Sequence, residues 1–136
     1  MPKKLELQVA VLESRPEISI VFGRVRQFRG EFIRTEDVAG ASPPASAKLP
    51  GTALIRRDVF DKIGRFETQW RVGEFVSWGA RAAEGGIRDC SIDGVVLYRR
   101  VHESNLGVTK RAALTDYAKI VRASIERRRR RDNPRR

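Results

Sequence analysis

The sequence contains little of what several classes of protein need. It has one cysteine, Cys90, which excludes an internal disulfide, and one histidine, His102. Because a zinc site made only of protein ligands takes several His or Cys side chains, one residue of each type argues against such a site. A lone cysteine also suits a reducing compartment, and we therefore expect a cytoplasmic protein.

Long apolar runs are absent as well. No run approaches the roughly 20 residues that a membrane-spanning helix needs, and the basic N-terminus lacks the apolar stretch of a signal peptide. We expect no transmembrane segment, while a location peripheral to a membrane stays open. The length of 136 residues and the hydrophobic content of 40% suit one domain with a modest core.

Acidic residues are too few to balance the basic ones, and the formal net charge is +11. The excess is concentrated at the C-terminus, where residues 119–136 hold nine Lys and Arg against two acidic residues. The run from Arg127 to Arg131 is typical of a solvated, frayed helix end, and it is also a possible contact for a polyanion. It contains no aromatic residue that would stack on bases. We expect residues 127–136 to be a disordered basic tail.

Hydrophobic periodicity predicts a mixed α/β fold. Leu5, Val9 and Leu12 share one face of a predicted N-terminal helix, and Ile18 to Phe28 reads as a strand that bends at Gly23. Segment 40–47, rich in Pro, Ser and Ala, is predicted as a mobile surface loop. The other predicted elements are a strand at 53–55, helices at 59–63 and 73–83, strands at 90–92 and 95–101 around an Asp93-Gly94 turn, and a helix at 109–126.

Pro50-Gly51-Thr52 stands directly before the strand at 53–55. A glycine after a proline lets the backbone turn sharply and approach a ligand without a clash at Cβ. The alternative is a simple turn from loop to strand.

Glu74 stands at the predicted start of helix 73–83. The backbone dipole alone favours a carboxylate there, and the functional alternative is a general base that takes a proton from an acceptor hydroxyl. Ser77, Trp78 and Arg81 share its predicted helical face. Trp78 either stacks on a sugar ring or belongs to the core.

His102 follows a predicted strand that ends in Arg99-Arg100, and Asn105 comes shortly after it. A single histidine is more often structural than a ligand. The functional alternative is that the imidazole completes a metal site or binds a diphosphate, with the arginines neutralising phosphate.

In this order, the motifs resemble the acceptor-side, C-terminal part of family-2 glycosyltransferases of the GT-A fold, over about residues 1–106. Residues 1–8 resemble the helix after the family's metal-binding Asp-x-Asp step, and residues 15–23 its next strand entry. Residues 50–57 resemble the glycine loop before the acceptor site, and 59–66 a motif ending in Gly-x-Phe-Asp. Gly73-Glu74 resembles the Gly-Glu-Asp step that supplies the base, and 98–105 resembles Tyr-Arg-x-His-x-x-Asn.

The resemblance implies transfer of a sugar from a nucleotide-diphosphate donor to a hydroxyl acceptor, with inversion. Glu74 would be the base or an acceptor ligand, Trp78 a sugar platform, and His102 a metal or diphosphate contact. The complete family enzyme uses Mn²⁺ or Mg²⁺, and we expect none on this chain alone. The other substrate-binding residues implied are Pro50, Gly51, Thr52, Ser77, Arg81, Arg99, Arg100 and Asn105.

The sequence departs from the family in three respects. The nucleotide-binding half with its Asp-x-Asp motif is absent, Phe75 replaces the usual Asp, and Ser77 stands where relatives with that phenylalanine carry Asp. We therefore expect a partial GT-A-like fold that is inactive alone, with a mixed sheet flanked by helices in residues 1–108. We also expect a homo-oligomer or a separate N-terminal partner. The alternative function is a non-enzymatic domain that binds a partner or a polyanion through Arg127, Arg128, Arg129, Arg130 and Arg131.

Overall fold

The computed structural model describes residues 3–30, 41–102 and 111–133, with side chains from residue 115 onward in the last range. The fold is mixed α/β, as predicted. The chain divides into two compact units, a first unit of Met1–Arg56 with Arg88–Asn105 and a second of Arg57–Ile87 with Leu106–Arg136. The sequence predicted a domain over residues 1–108, a C-terminal helix over 109–126 and a basic tail over 127–136. The elements are α1 (Lys4–Ser14), β1 (Ile20–Phe28), β2 (Ala45–Ser46), β3 (Ala53–Ile55), α2 (Asp58–Ile63), α3 (Glu74–Glu84), β4 (Asp89–Arg100) and α4 (Arg111–Asp132).

The first unit is built on a mixed four-stranded sheet with β1 at its centre. β4 runs parallel to β1 along its length, from Ile20 opposite Asp89 to Phe28 opposite Arg100. β3 pairs antiparallel with residues 20–22 of β1, and β2 pairs antiparallel with residues 24–25. Because a strand has only two edges, β2 and β3 follow one another along one edge of β1 and β4 occupies the other.

The predicted Asp93-Gly94 turn is wrong, because β4 is one continuous strand. Both halves of β4 pair with β1 in the same direction, so the chain does not reverse between them. Phe22 pairs with Ser91 and Arg24 pairs with Val95, so β4 has more residues than β1 between these two pairs. The extra residues make the Asp93 region an irregular bulge. Arg24 Nη2 contacts Asp93 Oδ1 at 2.6 Å across this bulge.

The buried face of α1 differs from the predicted one. Gln8 and Leu12 are buried, whereas Leu5 and Val9 are exposed. Leu12 packs with Ile18 and Val21 in the core of the first unit. Gln8 accounts for the rotation of the helix, since its Nε2 donates to the carbonyl oxygens of Val21 at 2.7 Å and Thr52 at 2.8 Å.

The described part of the predicted mobile loop, residues 41–47, is tied to β1. β2 lies within it, and Ser42 exchanges hydrogen bonds with Gln27: its amide donates to the Gln27 carbonyl at 2.8 Å, and its Oγ accepts from the Gln27 amide at 3.0 Å. These bonds give the segment the backbone partners that the sequence pattern did not reveal.

The second unit is helical. α2 ends at Gly64, whose φ of 83° is readily adopted only by glycine. Phe60, Phe66, Phe75 and Trp78 form an aromatic cluster with ring centroids 5.1–6.2 Å apart where they meet. No helix in the described ranges is both long and apolar enough to cross a membrane.

The C-terminal helix α4 continues through Asp132, where the sequence predicted a disordered tail from residue 127. Arg127 donates to Glu84 of α3, and Arg131 Nη1 donates to the Glu84 carbonyl at 3.0 Å. These bonds offset the mutual repulsion of the arginines and give the helix a surface to follow. The predicted start at Thr109 and the last three residues of the tail lie outside the described ranges.

Candidate functional site

The predicted acceptor-side loop, Pro50-Gly51-Thr52, forms a 3₁₀ turn in the first unit. Thr52 is fully buried, and its hydroxyl donates to the Ala47 carbonyl at 2.7 Å. This side chain therefore shapes the turn and presents no hydroxyl to solvent. Pro50 and Gly51 are exposed.

Gly51 also permits a close approach of this turn to β4. A Cβ at residue 51 would lie 3.1 Å from Leu97 Cδ2, closer than ordinary packing allows. Since alternate side chains of a strand lie on the same face, Arg99 shares the face of Leu97 about 7 Å further along β4. The turn and Arg99 therefore lie on one face of the sheet.

Arg99 and Arg100 lie opposite Gln27 and Phe28 at the end of β4, and both are exposed. As neighbours on a strand they point to opposite faces, so they do not converge on one ligand from the same side of the sheet. His102 follows the strand and is exposed. Asn105 lies outside the described residues.

Glu74 is the first residue of α3, directly after Gly73, whose φ is 82°. Its side chain is exposed. The N-terminal location is one that the helix dipole favours for a carboxylate. The result is a solvent-facing acid on a fixed backbone.

The three residues predicted to share a face with Glu74 are turned into the second unit. Trp78 is fully buried in the aromatic cluster and donates from Nε1 to the Gly64 carbonyl at 2.8 Å. Arg81 donates to the carbonyls of Ile63 at 2.7 Å and Arg65 at 2.6 Å. This burial favours the core alternative for Trp78, because a sugar cannot reach the ring in this conformation.

Glu67 is the central acid of the second unit, and no site role was predicted for it. Its Oε2 accepts hydrogen bonds from the Ser77 hydroxyl and from Trp70 Nε1, the latter at 2.9 Å, and lies 3.8 Å from Arg81 Nε. Burial works to raise its pKa, but the hydrogen bonds from Ser77 and Trp70 and the charge of Arg81 outweigh burial, so the pKa lies below its ordinary value. The sequence signal that could have pointed to Glu67 is its position directly after Gly64-x-Phe66.

Glu84, near the end of α3, is a second acid that the sequence did not single out. Its Oε1 accepts from Ser124 Oγ at 2.6 Å, and its Oε2 accepts from Arg127 Nε at 2.7 Å. Burial again works to raise the pKa, and the hydrogen bonds from Arg127 and Ser124 lower it overall. No local signal points to Glu84, because its partners Ser124 and Arg127 are 40 and 43 positions away.

Within the described ranges, no group of three or more His, Cys, Asp or Glu side chains is arranged to hold a metal ion. The metal role of His102 stays a prediction.

The predicted site residues fall in both compact units. The first unit contains Pro50, Gly51, Thr52, Arg99, Arg100 and His102. The second unit contains Glu74, Ser77, Trp78 and Arg81. Comparison of the chain with protein-family models, curated proteins and solved structures gives no match.

Proposed function

We propose that this chain is an acceptor-side module of the family-2 glycosyltransferase type, which does not transfer sugar by itself. The observation that carries the proposal is the exposed carboxylate of Glu74 at the start of α3, a helix anchored by the buried Trp78 and the half-buried Arg81. A base that accepts a proton from an acceptor hydroxyl needs such a solvent-facing carboxylate on a rigid support.

The transfer would join the acceptor oxygen to the anomeric carbon while the nucleotide diphosphate leaves and Glu74 takes the hydroxyl proton. A divalent cation, Mn²⁺ or Mg²⁺, would stabilise the departing diphosphate. The sequence contains no Asp-x-Asp pair to hold that cation. The chain alone is therefore an acceptor-binding module, and donor binding requires residues from elsewhere.

Two assays test this function. Incubation with UDP-, GDP- and TDP-sugars and Mn²⁺ should release no nucleotide above the buffer level. Saturation-transfer NMR with a panel of hydroxylated glycosides should detect acceptor binding that Glu74→Gln weakens. Glu13→Gln, which removes an exposed carboxylate from α1, is the matched control and should bind like the parent. Nucleotide release that Glu74→Gln abolishes would contradict the proposal. Acceptor binding that Glu74→Gln leaves unchanged would also contradict it.

The edge of β4 that faces away from β1 supports an assembled state. Among the described strands, β4 pairs with β1 only, and proteins normally cover or protect such an edge. A homo-oligomer or a separate N-terminal half would cover it. Sedimentation at micromolar concentration should detect a species larger than the 15.4 kDa chain, and a monomer that binds no dye for exposed apolar surface would contradict this assembly.

A second candidate function is polyanion binding by α4. Arg128, Arg129 and Arg130 are exposed on a helix, where they spread positive charge around its C-terminal end. Such a cluster attracts phosphate groups by releasing counterions, and its affinity should fall steeply with added salt.

A further inference from the structure

An apolar stripe lies on the exposed side of α4. It consists of Tyr117, Val121 and Ile125, whose residues are 42%, 57% and 45% exposed. Their spacing of four residues places them one above another on the helix. Single exposed apolar residues are ordinary on a protein surface, but a continuous row of three is typical of a contact surface.

The neighbouring face of α4 is already used for packing. Ile120 is buried, and Ser124 and Arg127 donate to Glu84 of α3. Arg131 also donates to Glu84, through its carbonyl oxygen. These contacts set the rotation of the helix within the second unit. The apolar stripe lies beside the anchored face, with Tyr117 next to Gly73 at the start of α3 and with Val121 and Ile125 further out towards solvent.

Arginines border the apolar stripe. Arg128 follows Val121 at two helical turns, and Arg122 and Arg129 lie along one flank. Arg129 and Arg130 form no ion pair with any residue that the structure describes. The exposed surface of α4 therefore combines an apolar row with unpaired positive charge.

We propose that α4 docks on an anionic lipid surface, with the apolar stripe at the boundary between headgroups and acyl chains and the arginines on lipid phosphates. This inference rests on the polyanion-binding function proposed above and names its partner. Helices that lie in a membrane interface combine these two features, an apolar row and flanking basic residues. Each arginine near such a surface raises the affinity about fivefold.

Charge and chemistry disfavour the other occupants. Duplex nucleic acid would engage the arginines but would leave Tyr117, Val121 and Ile125 in water. A second copy of α4 would cover the apolar stripe but would bring two rows of arginines together, which like-charge repulsion opposes. Of these three occupants, only an anionic lipid surface satisfies both features.

The experiment uses the full chain with three probes: phosphatidylcholine vesicles, vesicles that also contain phosphatidylserine, and a labelled DNA duplex. Val121→Ser with Ile125→Ser removes the apolar stripe, and Val76→Ser, at an exposed apolar residue of α3, is its control. Arg128→Gln with Arg129→Gln removes two charges that border the apolar stripe, and Arg57→Gln with Arg65→Gln is its control at exposed positions of the same unit. Circular dichroism verifies that each variant folds.

We expect binding to the phosphatidylserine vesicles only. The charge variant should lose roughly 25-fold in affinity, since two arginines act, and the stripe variant should lose about tenfold or more, while the controls bind like the parent. Binding to duplex DNA that the stripe variant leaves unchanged, without binding to vesicles, would overturn the lipid inference and leave polyanion binding in place. Failure to bind any probe would overturn both. A dimer that the stripe variant dissociates, with no vesicle binding, would assign the apolar stripe to a second copy and overturn the lipid inference.

Discussion

Arg127 donates two hydrogen bonds to the carboxylate of Glu84, from Nε to Oε2 at 2.7 Å and from Nη2 to Oε1 at 3.3 Å, across 43 positions of sequence. This two-bond geometry is the strong form of an arginine–carboxylate pair. It joins α3 to α4 at the point where the basic run begins. The arginine run is therefore part of the folded second unit up to Asp132.

The pair between Glu84 and Arg127 should contribute measurably to stability. The Glu84 side chain is only 13% exposed, and Glu84→Gln weakens its bonds to both Arg127 and Ser124. We expect a loss of about 1–3 kcal/mol in the free energy of unfolding, measured by urea denaturation. A double-mutant cycle that combines Glu84→Gln with Arg127→Gln should give a coupling energy that corresponds to a stabilising interaction between the two side chains. Glu126→Gln, which breaks the exposed pair with Arg122, is the control and should change stability little.

The same carboxylate should make stability depend on acidic pH. Its pKa is lower in the folded chain than in the unfolded one, so its stabilising contribution is complete above the unfolded value of about 4.3. That contribution is lost as pH falls through the unfolded value and then the folded value. The difference in unfolding free energy between the parent and Glu84→Gln should therefore shrink from pH 7 to pH 3. A difference that stays constant would contradict the assignment.

Gly73 should tolerate substitution poorly, because its φ of 82° is strained for other residues and a Cβ there would lie 2.8 Å from Ile120 Cδ1. Gly73→Ala should cost about 1–3 kcal/mol. Gly79 is the matched control, since it lies inside α3 and a Cβ would meet nothing within 4 Å. Gly79→Ala should stabilise the helix by about 0.5–1 kcal/mol. Thermal denaturation should move in opposite directions for the two variants, and equal shifts would contradict the backbone assignment.

Gln8 should be necessary for the first unit, although it is a polar residue in an amphipathic helix. Gln8→Ala removes both bonds to the carbonyls of Val21 and Thr52 and should cost about 1–3 kcal/mol. Gln8→Glu should cost more at neutral pH, because a carboxylate cannot donate to these carbonyls. Glu13→Ala, on the exposed side of α1, should change stability by no more than about 0.5 kcal/mol. An equal effect of Gln8→Ala and Glu13→Ala would exclude the bridging role.

Part of the candidate site followed from local sequence signals. The strand at 53–55 was predicted with its observed ends, and the helices at 59–63 and 73–83 were predicted to within one residue at each end. Glycines at the end of α2 and the start of α3 mark these boundaries because they permit positive φ. Because Gly73 marks the start of α3, the location of the Glu74 carboxylate at the helix N-terminus was also predictable.

The sequence by itself determined the mixed α/β class, the order of the helices α1 to α4, the glycine boundaries and the basic C-terminus, because these depend on residues within a few positions of each other. Only the tertiary structure decided which face of α1 is buried, that β4 passes Asp93 without turning, that Trp78 lies in a core, and that α4 continues through its arginines. Each of these depends on partners far along the chain, such as the carbonyls that Gln8 bridges and the carboxylate that Arg127 contacts. Hydrophobic periodicity predicts which face of a helix is more apolar. Which face is buried also depends on where distant hydrogen-bond partners lie.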